Sequence, residues 1–411
     1  MPDPLAPTRW DIFCRLVDNM GDIGVCWRLA RRLAARSDHR VRLWIDQVEA
    51  LSRLCPHALL DDGRGIVDGI EVRRWEVDFP SDVEVADVVI EAFACDPPPS
   101  YLAAMARRDC KPVWINLEYL SAEDWTGELH CMGSPHPRLP LHKVFFFPGF
   151  MPSTGGLLRE PGLFDARDRF RADPAGVIAF LRRIGCESAE DRVACDLSGA
   201  IATRDPASLP GGEVATLPLR VSLFAYEQPG LEHLLGHWAG SPRRVHLIVP
   251  EGRVLADVAR GLGVPMLAVG DRHQRGNLSV VVAPFVSQHD YDRLLWACDL
   301  NFVRGEDSFV RAQWAASPFV WQIYRQQDDA HRVKLEAFLA RYLDGVPDDV
   351  AVALRGFWWA WNGHACPAAV WDDFAHVLPQ LAAHARDWAT RLAQSPDLAD
   401  VLVNFYEVTV K

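Results

Sequence analysis

The chain has 411 residues, a formal net charge of −12, and a composition that is 49% hydrophobic and 24% charged. That length is more than one core usually serves and fits two domains. The acidic balance excludes a general nucleic-acid binder, whose footprint is a basic face, and no apolar run is long enough to span a bilayer.

The first ten residues, MPDPLAPTRW, lack the basic region and apolar core of a secretory signal. Residues 12–17 read as a strand, and 25–35 as an amphipathic helix. Residues 41–45, the end of 83–93, 113–117 and 144–147 read as further strands. Strands alternating with helices imply a parallel sheet with crossover helices. Residues 186–216 lose periodicity and carry Pro and Gly, so the linker is placed there. A second α/β unit follows, with strands at 219–226, 245–249, 278–282 and 300–303 and helices at 289–298 and 308–316. From about 371 the chain is helical and rich in Ala, Leu and Trp. The expected domains are 1–200, 217–370 and a helical segment, 371–411, packing back on the first. Two Rossmann-like halves with terminal helices match the GT-B architecture of glycosyltransferases, with a central cleft between the halves. That is a fold-level analogy and gives no function by itself. The ten cysteines show no CxxC pair and most lie in apolar runs, so reduced thiols in a cytoplasmic protein are expected.

Three constellations carry chemistry. The first is the loop Asp18-Asn19-Met20-Gly21-Asp22, where a strand becomes a helix. Asp18 and Asp22 are suited to hold or deprotonate a nucleophile, and Gly21 and Gly24 would allow close backbone approach. The alternative is structural: Asp22 as the helix N-cap and Asp18 as a turn residue. The second is Arg304-Gly305-Glu306-Asp307-Ser308, between an apolar strand and a helix. Helix-start N–H groups, the Ser308 hydroxyl and the Arg304 charge suit a diphosphate, and Glu306 suits sugar hydroxyls. Here the alternative has Asp307 as N-cap and Arg304 in a surface ion pair. The third is aromatic: Phe224, Tyr226, Phe285, Tyr291 and Tyr324, with Gln288, all near strand ends of the second half. Rings can stack a nucleobase and an amide can read it.

Other signals point to structure. Asp290-Tyr291-Asp292 matches a DxD metal pattern but sits at a helix start, where capping is the commoner use. His130, Cys131 and His136 lack metal spacing, and WWAW at 358–361 reads as helix packing. Neither a Walker loop nor GxGxxG is present.

Five stretches together resemble one family, the protein-arginine rhamnosyltransferases that modify elongation factor P (EarP). They are WDIFCRLVDNMGDIGVCWRLARRLA (10–34), NLEYLSAEDW (116–125), FFFPGF with TGGLLRE (145–160), SLFAYE (222–227) and RGEDS (304–308). The resemblance implies a GT-B fold, dTDP-β-L-rhamnose as donor, and one arginine of elongation factor P as acceptor. It implies inversion to an α-rhamnosyl-arginine, no metal or other cofactor, and activation of the factor for ribosomes stalled at polyproline. By position, Asp22 matches the proposed base, Asp18 the second loop aspartate and Glu306 the essential glutamate. Phe224, Tyr226, Phe285, Gln288, Tyr291, Arg304, Gly305, Asp307, Ser308 and Tyr324 match the donor site. Asn19, Gly21 and Gly24 fall on the acceptor side. Tyr291 stands where some members carry Phe, and Met20 where many carry an aromatic residue. A GT-B enzyme with another donor or acceptor, or a silent nucleotide-sugar-binding protein, are the competing readings. Retention of all three acids favours an enzyme.

Overall fold

A computed structural model describes residues 7–16, 20–76, 78–80, 82–191, 217–325 and 329–410. The chain divides into two compact units. One comprises Met1–Pro161, Arg332–Arg341 and Leu392–Lys411; the other comprises Gly162–His331 and Tyr342–Arg391.

The first unit is built on eight strands: β1 Thr8–Cys14, β2 His39–Ile45, β3 Arg64–Val67, β4 Ile70–Arg74, β5 Val88–Ala92, β6 Val113–Leu117, β7 Gly133–Pro135 and β8 His142–Phe146. They are ordered β3-β4-β2-β1-β5-β6-β8-β7. The central six pair in parallel, and antiparallel β3 and β7 close the two edges. Counting only the parallel strands gives order 3-2-1-4-5-6, the doubly wound arrangement. Burial explains the sequence: every residue of β5 and β6 is buried, as expected of strands covered on both faces. Phe13, Trp44, Trp75, Tyr101 and Trp114 form one core cluster. The helix Leu398–Val410 seals this unit. Its Tyr406 ring lies 5.8 Å from Trp10, and Phe405 lies 5.9 Å from Phe146. Just before it, Asp397 accepts from the Arg159 backbone N–H at 2.6 Å and from Arg32 Nε at 3.0 Å.

The second unit has six strands: β9 Leu219–Leu223, β10 Val245–Pro250, β11 Arg272–Arg275, β12 Leu278–Ala283, β13 Leu300–Arg304 and β14 Phe319–Gln322. Their order is β11-β12-β10-β9-β13-β14. Apart from the antiparallel edge strand β11, the order is 3-2-1-4-5, again doubly wound. The tryptophan-rich stretch packs as expected. Trp358 and Trp361 are fully buried; Trp361 lies 4.4 Å from Phe302, and Phe357 stacks on Phe374 at 4.4 Å.

Three expectations need correction. The first helix spans Gly21–Ala34, four residues earlier than expected, so Asp22 lies inside it. The boundary near 200 moves to 161/162. The helices Leu163–Arg171 and Pro174–Arg183 join the second unit, because Phe180, Leu181, Ile184 and Cys186 pack with Ile248, Val281 and Leu294. Asp191 stays there too, meeting Arg220 Nη2 at 2.8 and 2.9 Å. The rest of the expected linker, 192–216, lies outside the described residues. Finally, 371–411 is not one segment. Trp371 and Phe374 pack on Phe357 in the second unit, and only Leu392–Lys411 returns to the first.

Candidate active site

In a doubly wound sheet, ligands bind outside the carboxyl ends of the strands where the strand order reverses. In the second unit that point lies between β9 and β13, and both strands deliver expected site residues there. Arg304 ends β13. Its guanidinium carbon lies 4.5 Å from the Phe224 ring centroid and 4.6 Å from that of Tyr226. Both distances are within cation–π reach, worth about 0.5–2 kcal/mol per ring. Two further rings extend the wall: Tyr291 is 5.7 Å from Phe224, and Tyr324, half exposed, is 5.7 Å from Tyr226. Gln322, at the end of β14, accepts the Tyr226 backbone N–H at 2.7 Å, which holds the backbone that carries that ring. Phe285 is half-buried just past β12, on the same sheet edge.

The loop after Arg304 is held from within. Gly305 takes φ +61°, a left-handed conformation costly for other residues. Its carbonyl accepts Trp321 Nε1 at 3.0 Å, and Trp321 stacks on Phe309 at 3.9 Å. Glu306 occupies the N-cap position of the helix Asp307–Ala315 but makes no side-chain capping bond. The capping reading of Asp307 therefore falls; it is the first helical residue. The positive end of the helix dipole lies at this start and favours an anion there.

Two of the residues expected at the donor make bonds within the loops. Ser308 Oγ donates to the Arg304 carbonyl and accepts the Arg304 N–H, so it closes the loop. Gln288 Nε2 donates to Asp307 Oδ2 at 3.3 Å, tying the β12 loop to the β13 loop. Tyr291 is half-buried with its hydroxyl enclosed beside Ser308 and Asp307, and desolvation pushes that hydroxyl far above the usual tyrosine range. The DxD match is structural. Asp292 forms a buried two-bond pair with Arg311, both contacts at 2.8 Å. Asp290 pairs with Arg183, and the N-cap of that helix is Ser287, whose Oγ accepts the Asp290 N–H.

In the first unit the order reverses between β1 and β5. The segment after β1 leads into the helix Gly21–Ala34, whose N-cap is Met20. Asp22 is thus not the cap. It lies in the first turn, 4% exposed, where the helix dipole favours a carboxylate. Gly24 N–H bonds the Met20 carbonyl at 2.9 Å and serves the helix. Asp18 and Asn19 lie outside the described residues.

Sequence reasoning missed what stands beside Asp22's strand. Phe93, Ala94 and Asp96, directly after β5, all take positive φ, of 59°, 53° and 50°. Non-glycine residues pay for such conformations in strain, which clusters at functional sites. Phe93 stacks on Tyr119 at 4.3 Å. Asn116 accepts the Ala94 N–H at 3.1 Å and donates to Glu118 at 2.6 Å. Burial pushes the Glu118 carboxyl above the usual range, against the pull of the Asn116 bond. The signal was available: Glu118 follows the strand 113–117 as Asp22 follows the first strand. Likewise missed was Gly252 after β10, which lies against the Phe224 ring.

The model of the family described as "Elongation-Factor P (EF-P) rhamnosyltransferase EarP" matches residues 10–198 and 207–407. The chain belongs to this family. Protein-arginine rhamnosyltransferases of Pseudomonas aeruginosa and Pseudomonas putida are each 48% identical to it, over 97% of this chain and 98% of theirs. A solved structure described as the basis for EarP-mediated arginine glycosylation of translation elongation factor EF-P is 38% identical. It aligns with a TM-score of 0.65 over 97% of this chain and 98% of the other. This EarP-family chain is a protein-arginine rhamnosyltransferase of GT-B type, with one doubly wound sheet in each unit. Among its described residues, no helix is long and apolar enough to cross a membrane.

Proposed function

We propose that this enzyme transfers L-rhamnose from dTDP-β-L-rhamnose to one arginine of elongation factor P in the cytoplasm, with inversion and without a metal. The observation that carries the donor half is the Arg304 guanidinium held against Phe224 and Tyr226 three residues before the start of the helix Asp307–Ala315. A fixed cation and helix N–H groups together suit a leaving diphosphate, which is the task a metal performs elsewhere. The rings around it suit thymine. Phe285 supplies a further apolar face, while Gln288, Asp307, Ser308 and Gly305 hold the shape of the loop. Glu306, at the cap, suits the sugar hydroxyls.

On the acceptor side, Asp22 serves the guanidinium, with Asp18 sharing the task and Asn19, Gly21 and Gly24 shaping the loop. An arginine side chain is protonated at any working pH and is a poor nucleophile. As its nitrogen bonds the anomeric carbon, the bond from that carbon to the diphosphate oxygen breaks. The nitrogen sheds one proton, dTDP departs with the electron pair, and the product guanidinium keeps its positive charge. A buried carboxylate at that nitrogen localises the charge and takes the proton.

Intact mass of elongation factor P after incubation with enzyme and dTDP-β-L-rhamnose is the test. One deoxyhexose increment, lost when the acceptor arginine is changed to lysine, is the expected result. No increment with this donor, but one with another sugar nucleotide or another protein, would redirect the assignment.

A further inference from the structure

Sequence spacing gave no metal site, yet the fold assembles three ligand-bearing side chains far along the chain from the acids and the rings. Cys55, His57 and Asp68 have ligand atoms all within 4.8 Å of one another. Cys55 Sγ lies 3.3 Å from His57 Nε2, and that nitrogen lies 2.9 Å from Asp68 Oδ1. Tetrahedral zinc takes S, N and O ligands at about 2.0–2.3 Å, which puts neighbouring ligand atoms roughly 3.3–3.6 Å apart. The two separations from His57 Nε2 are at or slightly inside that spacing, the sulfur and the carboxylate oxygen are within 4.8 Å of each other, and the His57–Asp68 hydrogen bond must open for an ion to enter.

Cys55 and Asp68 are positioned by the backbone that carries them. Cys55 N–H bonds the Leu51 carbonyl at the end of the helix Val48–Leu54, and Ala58 N–H bonds the Cys55 carbonyl at 2.9 Å. Asp68 and Gly69 form the two-residue turn between β3 and β4, with φ of 50° and 79°, the pattern of a tight hairpin turn. Arg31 Nε approaches the other Asp68 oxygen, Oδ2, at 3.7 Å, which leaves Oδ1 turned toward His57. The imidazole is mostly exposed, so a fourth position is open to water.

Topology separates this cluster from the chemistry. Asp68 precedes β4, and β4 runs parallel to β2 and β1. It thus lies at the amino-terminal edge of the sheet, whereas Asp22 follows the carboxyl end of β1. We propose that Cys55, His57 and Asp68 form a three-ligand site for a soft divalent cation of the zinc class. The bound ion joins the loop after the helix Val48–Leu54 to the β3–β4 hairpin and takes no part in sugar transfer.

The test uses the full chain and the metal alone. Cobalt(II) reports thiolate ligation through a near-ultraviolet charge-transfer band, and zinc competes with it. The expected result is a band that saturates at one cobalt per chain, is displaced by zinc, and is absent in Cys55→Ser. His57→Ala, an exposed position whose loss leaves the core intact, weakens zinc binding by at least about tenfold. Zinc raises the melting temperature of the parent protein and not of either variant, while turnover is unchanged by zinc. A band that survives in Cys55→Ser, or zinc affinity unaltered in His57→Ala, would overturn the proposal, as would absence of any band in the parent.

Discussion

The Arg304 guanidinium lies 4.5 Å from the centre of the Phe224 ring; Arg304 ends β13 and Phe224 directly follows β9, the two strands that adjoin where the second sheet reverses its order. Tyr226 flanks the same cation at 4.6 Å. A guanidinium held by two rings keeps its N–H fork in one plane, ready for phosphate oxygens. Lysine offers a point charge without that plane. Arg304→Lys is expected to lower dTDP affinity about tenfold, near 1.4 kcal/mol, with calorimetric titration of dTDP as the measurement. Phe285→Ala is expected to fail in donor affinity before it fails in turnover; unchanged dTDP binding would remove Phe285 from the base pocket.

Asp22→Asn separates acceptor chemistry from donor binding. Asp22 is not the N-cap residue, and its charge in the first turn gains about 0.3–1 kcal/mol from the helix dipole. Turnover is expected to drop by about 10²–10⁴-fold while dTDP binds as before. Normal turnover in this variant would refute the base assignment.

The Asp292–Arg311 pair is almost fully buried. Removing one partner takes the opposite charge of the pair away from a buried ion. Arg311→Ala is expected to cost about 3–5 kcal/mol, read from the denaturation midpoint, and the double change Asp292→Leu with Arg311→Met to recover much of that loss. If Asp292 held a catalytic metal instead, a chelator would abolish transfer; the expected outcome is transfer unaffected by chelation.

His246 predicts the acid limit of the second unit. Its ring bonds Ser279 Oγ at 2.8 Å and the Cys186 carbonyl at 2.9 Å. Burial, foremost, holds its pKa below the ordinary 6.5, aided by Arg220 and Arg272 and opposed by the Cys186 bond and Asp191. The unfolded chain therefore takes up a proton near pH 6.5 where the folded chain does not. Stability is unaffected well above that pH and falls as pH drops below it, by up to about 1.4 kcal/mol per unit for this one group. Melting temperature measured from pH 8 to pH 5 should decline across that window, before most carboxylates titrate.

Apolar strands with helices between them were legible because continuous burial leaves continuous hydrophobic runs. Residues 113–117 match β6 end to end. The edge strands β3 and β11, and β4 inside β3, were not legible: they have four or five residues and each carries at least one arginine. The helices at 163–183 carry an apolar face, but no residue in them says which sheet receives it, hence the misplaced boundary. At the site, residue types at strand ends pointed to the right loops. Their bonding was hidden, because whether Ser308 meets a ligand or its own loop depends on where Arg304's backbone turns. Phe93 went unnoticed because backbone strain after β5 leaves no mark on composition.

The first unit draws on three stretches of polypeptide and the second on two. No single cut releases either as a continuous fragment. Recombination that exchanged the donor-side half for another would need a junction at every crossing, not one fusion point. Shortening the chain by its last twenty residues would uncover Trp10 and Phe146 and strip Arg32 of Asp397. The carboxyl terminus of this enzyme is thus heritable only together with its amino-terminal half.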